Sequence, residues 1–145
     1  MVAVTVMSAA LAQDTVAVEA ILPTDLPDPF RWTASVVERD GAGTLRLHVA
    51  LPAGGAIRRD SLRVVPVRTD GVQLAEPVVP PGVEVERDDD VRVVLLVADS
   101  TVDVPFTCTG GAVDVALLVV HQGCQGGRCW PEARTWIEVE PCRGR

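Results

Sequence analysis

At 145 residues the chain has room for one domain with a real core and does not need disulfides to hold a fold. A formal charge of -7, with no lysine and with all 13 basic residues arginine, excludes a phosphate-binding basic face and so argues against a nucleic-acid partner. A hydrophobic content of 48%, rich in valine and alanine and punctuated by 11 prolines and 12 glycines, favours an all-β domain of short strands over a helical one.

The first stretch, Met1 to Ala12, is short and apolar and ends Ala10-Leu11-Ala12. It reads either as the remnant of a secretory signal with an A-x-A cleavage site, lacking a positive start, or as a first strand. Residues 13–145 then form a single domain. No other stretch approaches the roughly 20 apolar residues of a membrane span. Thr15 to Leu22 is a strand expectation, and the proline-rich Pro23 to Pro29 cannot pair centrally in a sheet.

Arg31 to Leu51 reads as a hairpin turning at Asp40-Gly41-Ala42-Gly43. In its second arm Leu45, Leu47, Val49 and Leu51 fall on one face, opposite Thr44, Arg46, His48 and Ala50, so His48 is expected in solvent. Leu62 to Arg68 and Val72 to Val79 continue the strand pattern, the latter ended by Pro80-Pro81-Gly82. Val83 to Val85 and Val91 to Ala98 flank the acidic run Asp88, Asp89 and Asp90, which charge alone makes a solvated loop. Val102 to Thr107 follows. Ala112 to His121 is almost wholly apolar, as a strand covered on both faces would be, and Ala133 to Glu140 alternates again. Strands at this spacing without a helical period predict a β-sandwich.

Between those last two strands lies His121 to Pro131, HQGCQGGRCWP. Its Cys124 and Cys129, in a glycine-rich hairpin loop, close into a small ring if their Cα atoms come within about 4.4 to 6.8 Å. A ring of six residues stabilises by only about 2 kcal/mol, against nearly 4 for one of about 35, so the short bridge suits exchange better than stapling. If Cys124 and Cys129 face each other, the hairpin carries Cys142 back to the neighbourhood of residue 111. Cys108 is close by, and a second, structural Cys108–Cys142 bridge is expected. Four cysteines in a domain of this size also suggest an oxidising compartment.

Two other readings of the loop stand beside exchange. One is an immunoglobulin-like binding module with two inert disulfides. The other is a metal site of Cys124, Cys129 and His121. Neither histidine sits in a recognisable hydrolase motif.

His121-Gln122-Gly123-Cys124, followed by a short glycine-containing spacer and Cys129-Trp130-Pro131-Glu132, resembles the signature of the periplasmic N-terminal domain of the DsbD thiol:disulfide interchange proteins. The resemblance extends weakly over about residues 20–140, through Gly54 to Leu62 and Val104-Pro105-Phe106. It implies an immunoglobulin-like β-sandwich in the periplasm, or otherwise exported. It further implies Cys124 and Cys129 as the reacting pair, thioredoxin-fold redox proteins and a membrane electron donor as partners, and no cofactor or metal. By the same resemblance Cys129 forms the mixed disulfide and Cys124 resolves it. Gln122, Gly123, Arg128, Trp130 and Pro131 support the loop, Arg128 by favouring the thiolate of neighbouring Cys129 and Trp130 and Pro131 by shaping it, and Asp88 to Asp90 stand where the family has a capping loop. The chain departs from the family pattern in a four-residue spacer and in lacking tyrosines before Arg59.

Overall fold

The structure, a computed structural model, describes residues 4–8, 27–86 and 90–142. Among these residues thirteen strands follow in chain order: β1 (Val4–Ser8), β2 (Arg31–Arg39), β3 (Ala42–Ala50), β4 (Gly55–Arg58), β5 (Arg63–Asp70), β6 (Val72–Leu74), β7 (Val83–Glu86), β8 (Arg92–Leu96), β9 (Ser100–Cys108), β10 (Asp114–His121), β11 (Gly123–Gln125), β12 (Arg128–Cys129) and β13 (Ala133–Val139). They build three antiparallel sheets, ordered β1-β13-β10-β5, β2-β3-β9-β6 and β12-β11-β4-β8-β7.

The first two sheets supply most of a shared core. Leu45, Leu47 and Val49 of β3 and Val102, Val104 and Phe106 of β9 join Val115, Leu117 and Val119 of β10 and Ile137 and Val139 of β13. The third sheet adds Ile57 and Leu96, and the turn after β12 adds Trp130. Period-two patterning decides which side chains enter, because alternate residues of a strand face opposite sides. The all-β sandwich expected from the sequence is what forms. The β2–β3 hairpin turns at Asp40-Gly41 alone, tighter than the four residues expected. His48 is exposed as expected and shares a 3.3 Å hydrogen bond with Thr101 Oγ1. Strand β10 is buried on both faces over nearly its whole length.

Several expectations need correction. Strand β5 does not bury a face, since Val65 and Val67 are 40% and 45% exposed. It lies at a sheet edge, where Pro66 leaves no donor missing from a central ladder, and its pairing with β10 slips near that proline. The strand expected over Val72 to Val79 stops at Leu74, and only a single bridge, Val78 to Asp103, continues it past Pro77. Val4–Ser8, within the stretch read as signal or first strand, pairs with β13. The Ala10-Leu11-Ala12 motif and the Thr15 to Leu22 strand lie outside the described residues.

The most consequential difference concerns the cysteine loop. Cys124 and Cys129 are not on a straight extension of the β10–β13 hairpin, because both arms leave that sheet after His121 and before Ala133. Two residues, Gln122 and Gly123, separate His121 from Cys124 on one arm, whereas Trp130, Pro131 and Glu132 separate Cys129 from Ala133 on the other. The additional residue includes a proline with no N–H to give a ladder, so the hairpin bends there. Beyond the bend β11 pairs with β4, and the cysteines join the third sheet.

Candidate functional site

Cys124 and Cys129 are direct cross-strand partners, joined by a two-residue turn at Gly126-Gly127 with φ of +62° and +81°. Positive φ at both central residues is the type I′ turn that matches strand twist, and glycine reaches it without steric cost. The Trp130 N–H donates to the Gly123 carbonyl at 2.8 Å, which makes Cys124 and Cys129 a non-hydrogen-bonded pair, the closer kind of cross-strand neighbour. Their sulfurs are bonded, and their Cα atoms lie 3.9 Å apart, closer than the range anticipated from the sequence.

The second bridge, Cys108–Cys142, also forms as expected, with Cα atoms 5.9 Å apart and a sequence separation of 34. The two bridges occupy different surroundings. Cys142 is buried in the core cluster and Cys108 packs against it. Cys124 and Cys129, both half-buried, line an open groove of about 510 Å³ instead.

Pairing in the third sheet explains what else lines that groove. Ala56 faces Cys124, Arg58 faces Leu95, and Val85 faces Val93. Parity sends the alternate residues, Ile57 and Leu96, into the core, leaving Ala56, Arg58, Leu95, Val93 and Val85 on the groove side. Gln125 Nε2 donates to the Ala53 carbonyl at 2.8 Å, tying the hairpin to the loop before β4. The groove is therefore an apolar wall running from the disulfide to edge strand β7, interrupted by one guanidinium.

Of the loop residues expected to support the pair, Gln122 is tied on three sides. Its N–H donates to Ser61 Oγ at 2.9 Å, its carbonyl accepts from the Arg58 N–H at 3.1 Å, and its Nε2 donates to the Trp130 carbonyl at 3.2 Å. Arg128 is exposed at the turn, and Pro131 is half-buried. Trp130 is only 9% exposed; its ring points into the core, edge-on to Phe30 with centroids 5.9 Å apart, and so supports the cysteines from below. Asp88 and Asp89 lie outside the described residues. Asp90 belongs to the connection between β7 and β8, whose Val85 and Val93 line the groove, and it takes a left-handed φ of +63°.

Beneath the hairpin is a polar cluster that the sequence did not announce. His121 is fully buried, its Nδ1 accepting from Trp32 Nε1 at 3.1 Å, while its Nε2 lies 3.7 Å from Asp28 Oδ2. Asp28 Oδ1 accepts from the Phe30 N–H at 2.8 Å, so the aspartate fixes the backbone that carries the Phe30 ring. That ring closes against Gly123, where a Cβ would stand 2.3 Å from Phe30 Cε1. Gly123→Ala is accordingly expected to displace Phe30 and destabilise the domain by about 1 to 3 kcal/mol, read by urea unfolding. Paired with Phe30→Leu, which makes room, the loss should shrink by at least about 0.5 kcal/mol through coupling.

The residues of the metal reading are engaged elsewhere in this structure. Both sulfurs are tied in a bond to each other, and His121 is turned inward onto Trp32. No group of three or more His, Cys, Asp or Glu side chains among the described residues is placed to hold a metal ion.

No family model and no curated protein matches the chain in sequence. Among solved structures, the crystal structure of the Neisseria meningitidis DsbD N-terminal domain in its reduced form matches with a TM-score of 0.55 and 20% identity, covering 75% of this chain and 84% of that one. The chain thus has the immunoglobulin-like β-sandwich fold of the DsbD N-terminal domain.

Proposed function

We propose that the domain carries out thiol-disulfide interchange outside the cytoplasm, in the periplasm or otherwise exported, relaying electrons through Cys124 and Cys129 to thioredoxin-fold proteins. The observation that carries this reading is the contrast between the two bridges. One closes a long loop inside the core, and the other spans a six-residue ring at an open apolar groove. A bridge that adds little to stability and faces solvent is suited to opening, because exchange needs an approaching thiolate to reach a sulfur along the S–S axis. The fold shared with a DsbD domain crystallised in its reduced form supports the same reading.

In the proposed cycle the Cys129 thiolate attacks a partner disulfide, forming a mixed disulfide and releasing one partner thiolate. Cys124 then attacks Cys129 Sγ, reforming the 124–129 bridge and releasing the second partner thiolate. Two electrons pass to the partner, and a donor, in this reading membrane-bound, restores the dithiol. By the same reading the connection between β7 and β8 is the cap, since those two strands form the far wall of the groove. No helix among the described residues is long and apolar enough to cross a membrane.

The test is the reduction potential of the 124–129 pair, read by alkylation in graded thiol buffers. An exchange couple is expected above about -300 mV, in the range of catalytic dithiols. A potential below that, with the ring intact in mild reductant, would leave an immunoglobulin-like binding module with two inert disulfides.

A further inference from the structure

The groove carries one feature that exchange with protein partners does not require. Arg58 is the single charged side chain among its described lining residues, and it stands on the same wall as the cysteines. Ladder geometry gives its separation from them. Ala56 is the cross-strand partner of Cys124, and Arg58 is two residues further along the same face of β4. Two residues of strand advance about 7 Å and one strand spacing is about 5 Å, which puts the Arg58 backbone about 9 Å from that of Cys124. The guanidinium is turned to Asp60 in this structure, and a swing back along the groove would bring it toward a carboxylate carried on a short chain from a sulfur at the bridge.

Its surroundings sharpen the point. The Arg58 side chain is 32% exposed, and its ion-pair partner Asp60, 3.2 Å away, is 72% exposed and is not part of the groove lining. The guanidinium has five donors and Asp60 takes one of them, leaving others for an incoming anion. Ala56, Val85, Val93 and Leu95 supply no acceptor side chain. At about 510 Å³ the groove is the size of a small-molecule site and not of a protein footprint.

We propose that this groove binds a low-molecular-mass thiol bearing a carboxylate, with Arg58 holding the carboxylate while the sulfur is delivered to the Cys124–Cys129 bridge, so that the domain accepts electrons from small acidic thiols. The proposal rests on the exchange reading above and names a further substrate class for the same site. The first thiolate attacks Cys129 Sγ, forming a mixed disulfide and releasing the Cys124 thiolate as the bridge breaks. A second thiolate attacks the small-molecule sulfur of that mixed disulfide, releasing Cys129 and leaving as the oxidised dimer. Two thiols are oxidised, one bridge is reduced, and the two protons lost by the small thiols balance those taken up by the two cysteines.

The test compares ring opening of the oxidised protein by 3-mercaptopropionate, 2-mercaptoethanol and cysteamine, followed by alkylation and intact mass. Intrinsic nucleophilicity cancels when the anion-to-cation rate ratio of a variant is divided by that of the wild type. Arg58→Gln should lower this ratio about fivefold, the upper range for one partly exposed ion pair, and Arg58→Lys should largely retain it. Arg63→Gln, which removes the same charge from a different sheet, should leave it unchanged. Equal ratios for Arg58→Gln and wild type would overturn the proposal, as would an equal fall in Arg63→Gln, which would mean a diffuse field. Normal opening by all three thiols in that case would leave protein exchange standing. Failure of every thiol to open the ring would overturn both readings.

Discussion

Cys129→Ser is expected to abolish covalent capture of a thioredoxin-fold partner carrying a single active-site cysteine, while Cys124→Ser is expected to accumulate the mixed disulfide. The asymmetry has a basis in the ladder. Cys124 lies on an interior strand, with β4 on one side and β12 on the other, whereas Cys129 is on the two-residue strand β12 at the sheet edge. As a non-hydrogen-bonded cross-strand pair, the two residues turn their backbone groups away from each other, those of Cys124 toward β4 and those of Cys129 toward the unpaired edge. An approaching chain therefore meets Cys129 with a free donor and acceptor beside the reacting sulfur. Once Cys129 is linked to the partner, Cys124 stands directly opposite, and that proximity makes resolution in the wild type fast. Removing Cys124 should lengthen the life of the mixed disulfide at least about a hundredfold, visible on non-reducing gels and by intact mass. Equal trapping by the two serine variants would refute the division of roles.

What the sequence disclosed and what it hid divide along a physical line. Leu45, Leu47 and Val49 announce a buried face because the pattern is local and the alternation strict. The register of Cys124 on Cys129 is local too, since a glycine pair between them selects the turn. The bridge from Cys108 to Cys142 followed from carrying that hairpin back by residue count, although the hairpin bends on the way. Strand β5 misled because Val64, Val65 and Val67 have the composition of a buried strand, while exposure depends on sheet order, which no local pattern encodes.

The residues that were missed all act across long separations. Trp32 meets His121 across 89 residues of chain, and Asp28 reaches the same histidine from a proline-rich segment that read only as a strand breaker. Arg58 lies within the weakly similar stretch Gly54 to Leu62, and nothing in its local sequence sets which face of β4 it occupies. That face is fixed by the pairing of Cys124 with Ala56, a tertiary fact. The hairpin leaves one sheet for another at Gln122, and this single change brings the cysteines, Arg58 and the valines of β7 and β8 onto one wall.

Replacing both Cys108 and Cys142 by alanine is expected to cost the domain nearly 4 kcal/mol of unfolding free energy, about twice the loss from replacing Cys124 and Cys129, measured by urea unfolding of the oxidised proteins. The chain-entropy estimate sets the ratio. A bridge across a separation of 34 removes more freedom from the unfolded chain than one across 5. Burial adds to it, because Cys142 is 7% exposed within the core cluster and its truncation leaves space beside Cys108, which packs there. The same variant should keep the reduction potential of the 124–129 pair within about 15 mV of the wild type, a shift equivalent to about 0.7 kcal/mol for a two-electron couple. The two bridges share no sheet edge. Cys124 and Cys129 are held by β11, β12 and the Gly126-Gly127 turn, while Cys108 ends β9 in the β3 sheet. A stability loss no larger than that of the short ring, or a potential that moves with the long bridge, would mean that the two are coupled through the core. The division into one staple and one exchange couple would then fail, since opening the exposed ring could not leave the scaffold that presents it undisturbed.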